Sequence, residues 1–522
     1  MAESIALTDS FTFFLYDFKL NKPFRSYEVF SEGSRGVWKR SSVQPDESYL
    51  FPHVRDFFTK NIGLAEPDEN QFVIYELKRD HVSPEDKVKL SLFNNLFSKP
   101  HFLAQAGKDK ENLHFNMMAD VSVLSPKIFI CPLTSIGLFT FCFKLADAQN
   151  TLENLLNFNF KARTISLGQE ILFGTPGSTH EQAMAREIKT NEDLAQFTKS
   201  KPKTHFTESG VHYWTLRTFV NYFLQDLDAD SYKEISPSRI QAFTYAQTER
   251  KLPKEELRHA IFRLRRMYNY NYLPPEIQSF EDQECFQPFE QIHFGASVEG
   301  VAVLLNADKS ELPEFLRNYN GVLKQRSIWT YILSYHQRLA LIVSATEVAD
   351  LYERNQSPSM QQLSVIVKKI TRVQLKCMFN EISHFTQQND FYYLCCRNLR
   401  LPSLFLEIKE ELTELNNTLA EEWHKEEESA RRLNAEQEKK RERNFSTLIG
   451  MLMVPQIWFA MIIIELDRWH EFLVEYETEV YWVTGLMWLA IFAAGIKIYW
   501  FDKEKSKKTR KSLVKIRADH KV

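Results

Sequence analysis

The sequence predicts an α/β cytosolic domain, a long stalk helix and two C-terminal transmembrane helices. Three observations point there: strand-like runs in the first 310 residues, a glycine-free charged stretch after Pro402, and two apolar runs near the end. The 522 residues suffice for two or three domains and for sizeable cores. Net charge is −3, so bulk electrostatics do not call for nucleic acid, and no direct nucleic-acid partner is expected. Phenylalanine is abundant (41) and glycine scarce (15), a balance that favours packed elements over disorder.

The strand-like runs are SFTFFLYDF near residue 11, QFVIYEL at 71, KIFICPL and GLFTFCFKL between 127 and 145, and VEGVAVLLN at 298. They are rich in aromatic and β-branched residues. Helical patterns fall between and after them, in ADAQNTLENLLNF and in two long stretches between 311 and 385. This divides the body into residues 1–310, a mixed α/β ligand sensor, and residues 311–401, its helical part. The N-terminal MAESIALTDSFTFFLYDFK has no basic segment followed by an apolar run, so no signal peptide is expected. Six cysteines (Cys131, Cys142, Cys285, Cys377, Cys395, Cys396) show no CxxC pair and read as reduced thiols.

Residues 402–444 read as the stalk. Leu404, Ile408, Leu412, Leu415, Leu419, Trp423, Ala430 and Leu433 mark one helical face at steps of three and four, and the rest is dense in Glu, Lys and Arg. Nothing stops this helix before about Leu466, on the order of 90 Å in all, and Pro455 is a place for a kink. A solvated helix of that length calls for other helices against its stripe.

The first span is placed at 445–465. Its twenty uncharged residues Phe445–Ile464 would cover roughly 30 Å, the thickness of a bilayer's hydrocarbon core. The second, 480–501, has Tyr481, Trp482, Tyr499 and Trp500 at its edges and Lys497 near its end. The intervening loop, 466–479, is acidic, and the tail, 502–522, is basic; from residue 502 on, nine Lys/Arg face three acids. The positive-inside rule then gives a multi-pass protein of the plasma membrane with both termini cytoplasmic and the lipid bilayer as partner. A seven-residue stripe through the first span gives Asn444, Thr447, Met451, Val454, Trp458, Met461 and Glu465 as pore-lining candidates, with an apolar middle between polar mouths.

This architecture resembles the CorA family of magnesium channels. The resemblance covers residues 402–522 as topology, and the first 400 loosely. The family carries Gly-Met-Asn at the outer end of its first span; here that end reads IIIELDRW, and Gly450–Met451 is followed by Leu452 at the inner end. A subset of CorA-like proteins that lacks this motif is associated with type III CRISPR systems. Resemblance to that subset implies a homopentameric membrane channel for antiviral defence, gated by a nucleotide second messenger, a conjugate of S-adenosylmethionine with AMP. Two alternatives stand beside it: a transporter of Mg2+ or another divalent cation with an altered filter, and a membrane-anchored scaffold or enzyme.

Catalytic signals are weak, and the chain is not expected to be an enzyme. GTPGST at 174 lacks a Walker lysine, and GASVEG at 295 lacks the spacing of a nucleophile elbow, so both read as turn and strand glycines. The fourteen histidines show no paired metal spacing, leaving the metal ligands unknown. For the ligand, EELRHAIFRLRRMYNYNYLPPE, 255–276, crowds Arg258, Arg263, Arg265 and Arg266 beside Tyr268, Tyr270 and Tyr272. Guanidinium groups fork onto phosphate and aromatic faces stack on a base, so this stretch is the candidate nucleotide site.

Overall fold

The computed structural model describes residues 4–22, 38–77, 101–104, 111–117, 123–165, 171–176, 207–224, 231–274, 284–308, 312–354 and 360–466, apart from gaps of one or two residues within these ranges, and scattered positions from 482 to 497. The chain divides into two compact units: Met1–Gln356 with Ile366–Leu412, and Ser357–Val365 with Thr413–Val522.

The first unit is built on a mixed sheet. Its central strand is β1 (Leu7–Leu20), LTDSFTFFLYDFKL, which is buried on both faces. Alternation sorts its side chains. Phe14, Tyr16, Phe18 and Leu20 enter one apolar core, while Phe11, Phe13 and Leu15 enter another. A strand covered on both faces has to read as a nearly continuous apolar run, and this one does.

The remaining strands follow in chain order: β2 (Trp38–Arg40), β3 (Val73–Leu77), β4 (His101–Ala104), β5 (Glu111–Met117), β6 (Lys127–Cys131) and β7 (Ile136–Leu145). After them come β8 (Ile171–Pro176), β9 (Thr207–Glu208), β10 (Val211–Thr215), β11 (Tyr232–Glu234) and β12 (Gln241–Thr248). The last three are β13 (Cys285–Phe289), β14 (Ile292–Ala296) and β15 (Gly300–Leu305). The sheet runs β13-β14-β15-β12-β1-β7-β5-β4-β8-β10-β9, with β11 on β1 and the ladder β2-β3-β6 joining at β7. The β12–β15 pair is parallel, and every other pair among the described residues is antiparallel.

Helices cover both faces. On the first lie α1 (Pro52–Thr59), α7 (Ile328–Arg354) and α9 (Thr386–Asn398), whose Phe57, Phe58, Trp329, Tyr335 and Phe391 share a core with Phe11 and Phe13. On the other lie α2 (Leu152–Ala162), α3 (Leu216–Phe223) and α4 (Lys254–Arg265), contributing Leu155, Phe158, Phe223, Ile261 and Leu264. The buried Asn159 of α2 ties its helix to two strands: it accepts from Thr12 Oγ1 at 2.8 Å and donates to Thr244 Oγ1 at 2.9 Å. Short helices α5 (Glu314–Arg317) and α6 (Tyr319–Val322) and a π-turn at Leu323–Ser327 lead into α7. Helix α8 (Met360–Cys377) follows. All six cysteines are free thiols.

Helix α10 runs Leu401–Leu466 without a break, 66 residues, or about 100 Å at 1.5 Å per residue. It belongs to the first unit up to Leu412 and to the second from Thr413. The unbroken helix read from Pro402 to about Leu466 is therefore present.

The membrane reading is corrected. Among the described residues no helix is long and apolar enough to cross a membrane. That overturns the two transmembrane helices placed at 445–465 and 480–501, and with them the multi-pass plasma-membrane location and the orientation of the termini. The first run continues α10 without a break, as the C-terminal part of one 66-residue helix. Of the second run only scattered positions are described. The acidic stretch from 467 to 479 and the basic tail from 502 lie outside the described residues.

A candidate anion site at the root of helix α10

Local sequence explains why the arginine-rich stretch folds as it does. Pro253 precedes α4 with extended backbone, Glu255 and Glu256 occupy its first turn and Arg263 and Arg265 its last, each charge matched to the helix dipole. The helix stops because Met267 adopts φ 51°, a left-handed turn that glycine more often supplies. The Met267 N–H donates to the Leu264 carbonyl at 3.2 Å and the Tyr268 N–H to the Arg263 carbonyl at 2.9 Å, which caps the free carbonyls of the last turn.

That cap divides the arginines. Arg258 pairs with Glu255 at 3.3 Å on the helix surface. Arg263, buried, donates Nε–H to the Tyr272 carbonyl at 2.7 Å and lies 4.5 Å from the Tyr270 ring centre. Burial lowers its pKa, and Tyr270 partly offsets this. Tyr268 stacks on Tyr272 at 4.7 Å between ring centres. The tyrosines and Arg263 therefore hold one another.

Arg265 and Arg266 turn to Glu284. The buried Arg265 forms an ion pair with that carboxylate. Arg266 Nη2 reaches its two oxygens at 2.8 and 3.0 Å. Burial alone would lower the Arg266 pKa; Glu284 outweighs it and holds the guanidinium above its ordinary value.

Beside Arg266 opens a cavity of about 280 Å³, walled by Arg266, Glu284, Glu299, Arg397, Asn398 and Arg400 together with Ser297 and Val298. Ser297 closes the β14–β15 turn: its N–H donates to the Gly300 carbonyl at 2.8 Å and its hydroxyl to the Arg265 carbonyl at 2.7 Å. GASVEG is thus a strand–turn–strand segment, as read, and it also forms part of the cavity wall.

The far wall is the junction between α9 and α10. Arg400 adopts φ 58°, which turns the chain out of α9 so that α10 starts at Leu401, with Pro402 as its second residue. The Arg400 carbonyl accepts from the Leu404 N–H at 3.1 Å, and the Leu399 carbonyl takes the Arg338 guanidinium of α7. A non-glycine residue in this conformation costs on the order of 1–3 kcal/mol and persists only where its surroundings fix it.

Three guanidinium groups against two carboxylates leave the cavity with a positive excess suited to an anion, and forked donors match phosphate geometry. The volume lies just below that of a typical ligand pocket, so it fits a phosphate group with the rest of a ligand outside. Of the ligand-binding candidates read from sequence, only Arg266 lines this cavity. Arg265 stands behind Glu284, while Arg258, Arg263, Tyr268 and Tyr270 do not line it. Sequence reasoning missed Arg397, Arg400 and Glu284. Two arginines three residues apart just before Pro402, in RNLRLP, are the signal that marked the helix junction.

The pore-lining candidates all fall on α10. Thr447 Oγ1 donates to the Arg443 carbonyl at 2.8 Å, Asn444, Met451 and Met461 are exposed, and the side chains of Val454, Trp458 and Glu465 lie outside the description. Among the described residues no group of three or more His, Cys, Asp or Glu is placed to hold a metal. His336 is a core histidine, Nε2 at 3.1 Å from Thr134 Oγ1 and its ring 4.7 Å from that of Phe72. No family model, curated protein or solved structure matches the chain.

Proposed function

We propose that this chain is a ligand sensor whose α/β unit binds a phosphate-bearing small molecule between Arg266, Arg397 and Arg400 and whose output element is helix α10. The observation that carries this reading is position: the cavity's arginines include the left-handed Arg400, the residue that immediately precedes Leu401. A bound phosphate would bridge the end of α4 to the junction and bias its conformation. Such a ligand shifts an equilibrium only by its difference in affinity for the two junction states.

Titration calorimetry tests it with pyrophosphate, ATP, the S-adenosylmethionine–AMP conjugate and adenosine. The phosphate-bearing probes should bind and adenosine should not. Arg266→Gln and Arg400→Gln should each weaken binding about tenfold or more, the value of one charge-assisted hydrogen bond. Equal affinity of wild type and both variants defeats the proposal.

Self-assembly belongs to the same reading. Trp423 and Leu433 on α10 are 66% and 59% exposed, large apolar groups that a second copy's helix would cover. Light scattering should give an oligomer for the wild type and a smaller species for Trp423→Glu with Leu433→Glu; a monomeric wild type removes this part.

A further inference from the structure

A second cavity of about 770 Å³ lies in the first unit, away from the arginines, where the ends of β1 and β11 meet the β6–β7 turn and α7. Its size suits a whole small ligand. One of its walls has an unusual charge arrangement. Lys19 of β1 and Lys233 of β11 are direct register partners in an antiparallel pair, so two cations stand opposite each other on one face. Like charges so placed destabilise a sheet unless something negative sits between them. Lys19 is met by Glu347 of α7 at 2.9 Å, but that carboxylate is shared with Lys369 at 2.7 Å. Lys233 has no ion pair among the described residues.

The other walls differ in kind. Leu20, Ile342 and Val343, with Pro67 and Pro132, form an apolar surface. Asp350, one helical turn beyond Glu347, and Glu69 add negative charge to the lining, and Lys22 adds a third cation. Glu234, the remaining acid of the lining, is engaged by the Tyr16 hydroxyl at 2.9 Å.

We propose that this cleft binds a zwitterion with an apolar body, a free amino acid or short peptide. Its carboxylate lies between Lys19 and Lys233, its ammonium faces Asp350 and Glu69, and its side chains lie on Leu20, Ile342 and Val343. The site shares no residue with the arginine cavity and stands independently of the sensor reading.

The test is calorimetry on the full chain with the dipeptide Leu-Phe, its N-acetyl form, which lacks the cation, and its C-terminal amide, which lacks the anion. Leu-Phe should bind at one site, and each blocked form at least tenfold more weakly. Thr346→Trp, an exposed position on the cleft wall, should abolish binding by filling the space, and Lys233→Glu, also exposed, should weaken Leu-Phe at least tenfold. Arg266→Gln should leave it unchanged. Far-UV circular dichroism confirms that both cleft variants are folded. No binding of Leu-Phe at millimolar concentration overturns the proposal. So does equal binding of the blocked forms, or binding that survives Thr346→Trp.

Discussion

Helix α7 and the part of α10 beyond Thr413 are both long helices of one chain, held together by different forces. In α7, Trp329, Tyr331, Ile332, Leu333, Tyr335 and His336 are all buried, so consecutive residues right around the helix face protein. Packing holds that helix, and its sequence needs no amphipathic stripe. In α10, residues 420–444 are exposed wherever their side chains are described, and the helix shows Arg431–Glu427 and Arg432–Glu428 pairs at 2.7 and 2.8 Å, each with the acid four residues before the base. Local propensity and charge spacing hold that one. A substitution should therefore act through lost packing in the first helix and through small local terms in the second.

The largest effect belongs to Trp329→Ala. It opens a cavity among Phe58, Phe129 and the rest of the α7 core and should cost about 3–5 kcal/mol in urea unfolding. Trp423→Ala, of the same chemistry on the exposed helix, should change the folding free energy of the protomer by less than about 0.5 kcal/mol. Comparable losses for the two tryptophans would break the contrast.

Next comes Gly300→Ala. An added Cβ would sit 2.6 Å from the Ala242 carbonyl oxygen, a backbone atom of the parallel β12–β15 pair that cannot swing aside. Overpacking of this kind costs about 1–3 kcal/mol, read as a lowered urea midpoint at constant slope. An unchanged midpoint would mean that this strand pair yields more easily than the close approach implies.

Glu347→Gln sharpens the comparison through pH. Burial alone would raise the Glu347 pKa, but Lys369 and Lys19 outweigh it and hold the carboxyl below its ordinary value. A depressed folded value means that the stabilisation is present above the unfolded value of about 4.3 and is lost as pH falls through the folded one. Wild type should exceed the variant by about 1 kcal/mol at pH 7, and the difference should shrink as pH falls below the unfolded value. A difference that does not shrink in acid would point to packing instead. The smallest effect is Glu428→Ala, about 0.2–0.5 kcal/mol of helix stability, reduced further by salt.

Those two forces also decide what the sequence disclosed. The runs SFTFFLYDF, KIFICPL and GLFTFCFKL became β1, β6 and β7 because an aromatic-rich sheet covered on both faces leaves a nearly continuous apolar pattern. Helix α10 was legible from its stripe and from the absence of glycine and proline between Pro402 and Gly450. Strand β12, QAFTYAQT, was not, because its small and polar residues satisfy a buried environment only through partners such as Asn159 and Leu305, which are distant in sequence. The site divided in the same way. Arg266 was visible inside a basic helix end, whereas Arg397, Arg400 and Glu284 join it only through the left-handed turns at Met267 and Arg400. The apolar run from Phe445 was read as a span from its length and its lack of charge, whereas in the fold it is the C-terminal part of α10.

Amide hydrogen exchange across 397–404 tests most directly whether a phosphate-bearing ligand acts at the head of α10. With pyrophosphate or ATP added, exchange in this segment should slow at least severalfold in the wild type and stay unchanged in Arg266→Gln. Protection confined to other segments, or equal protection in that variant, would contradict the account.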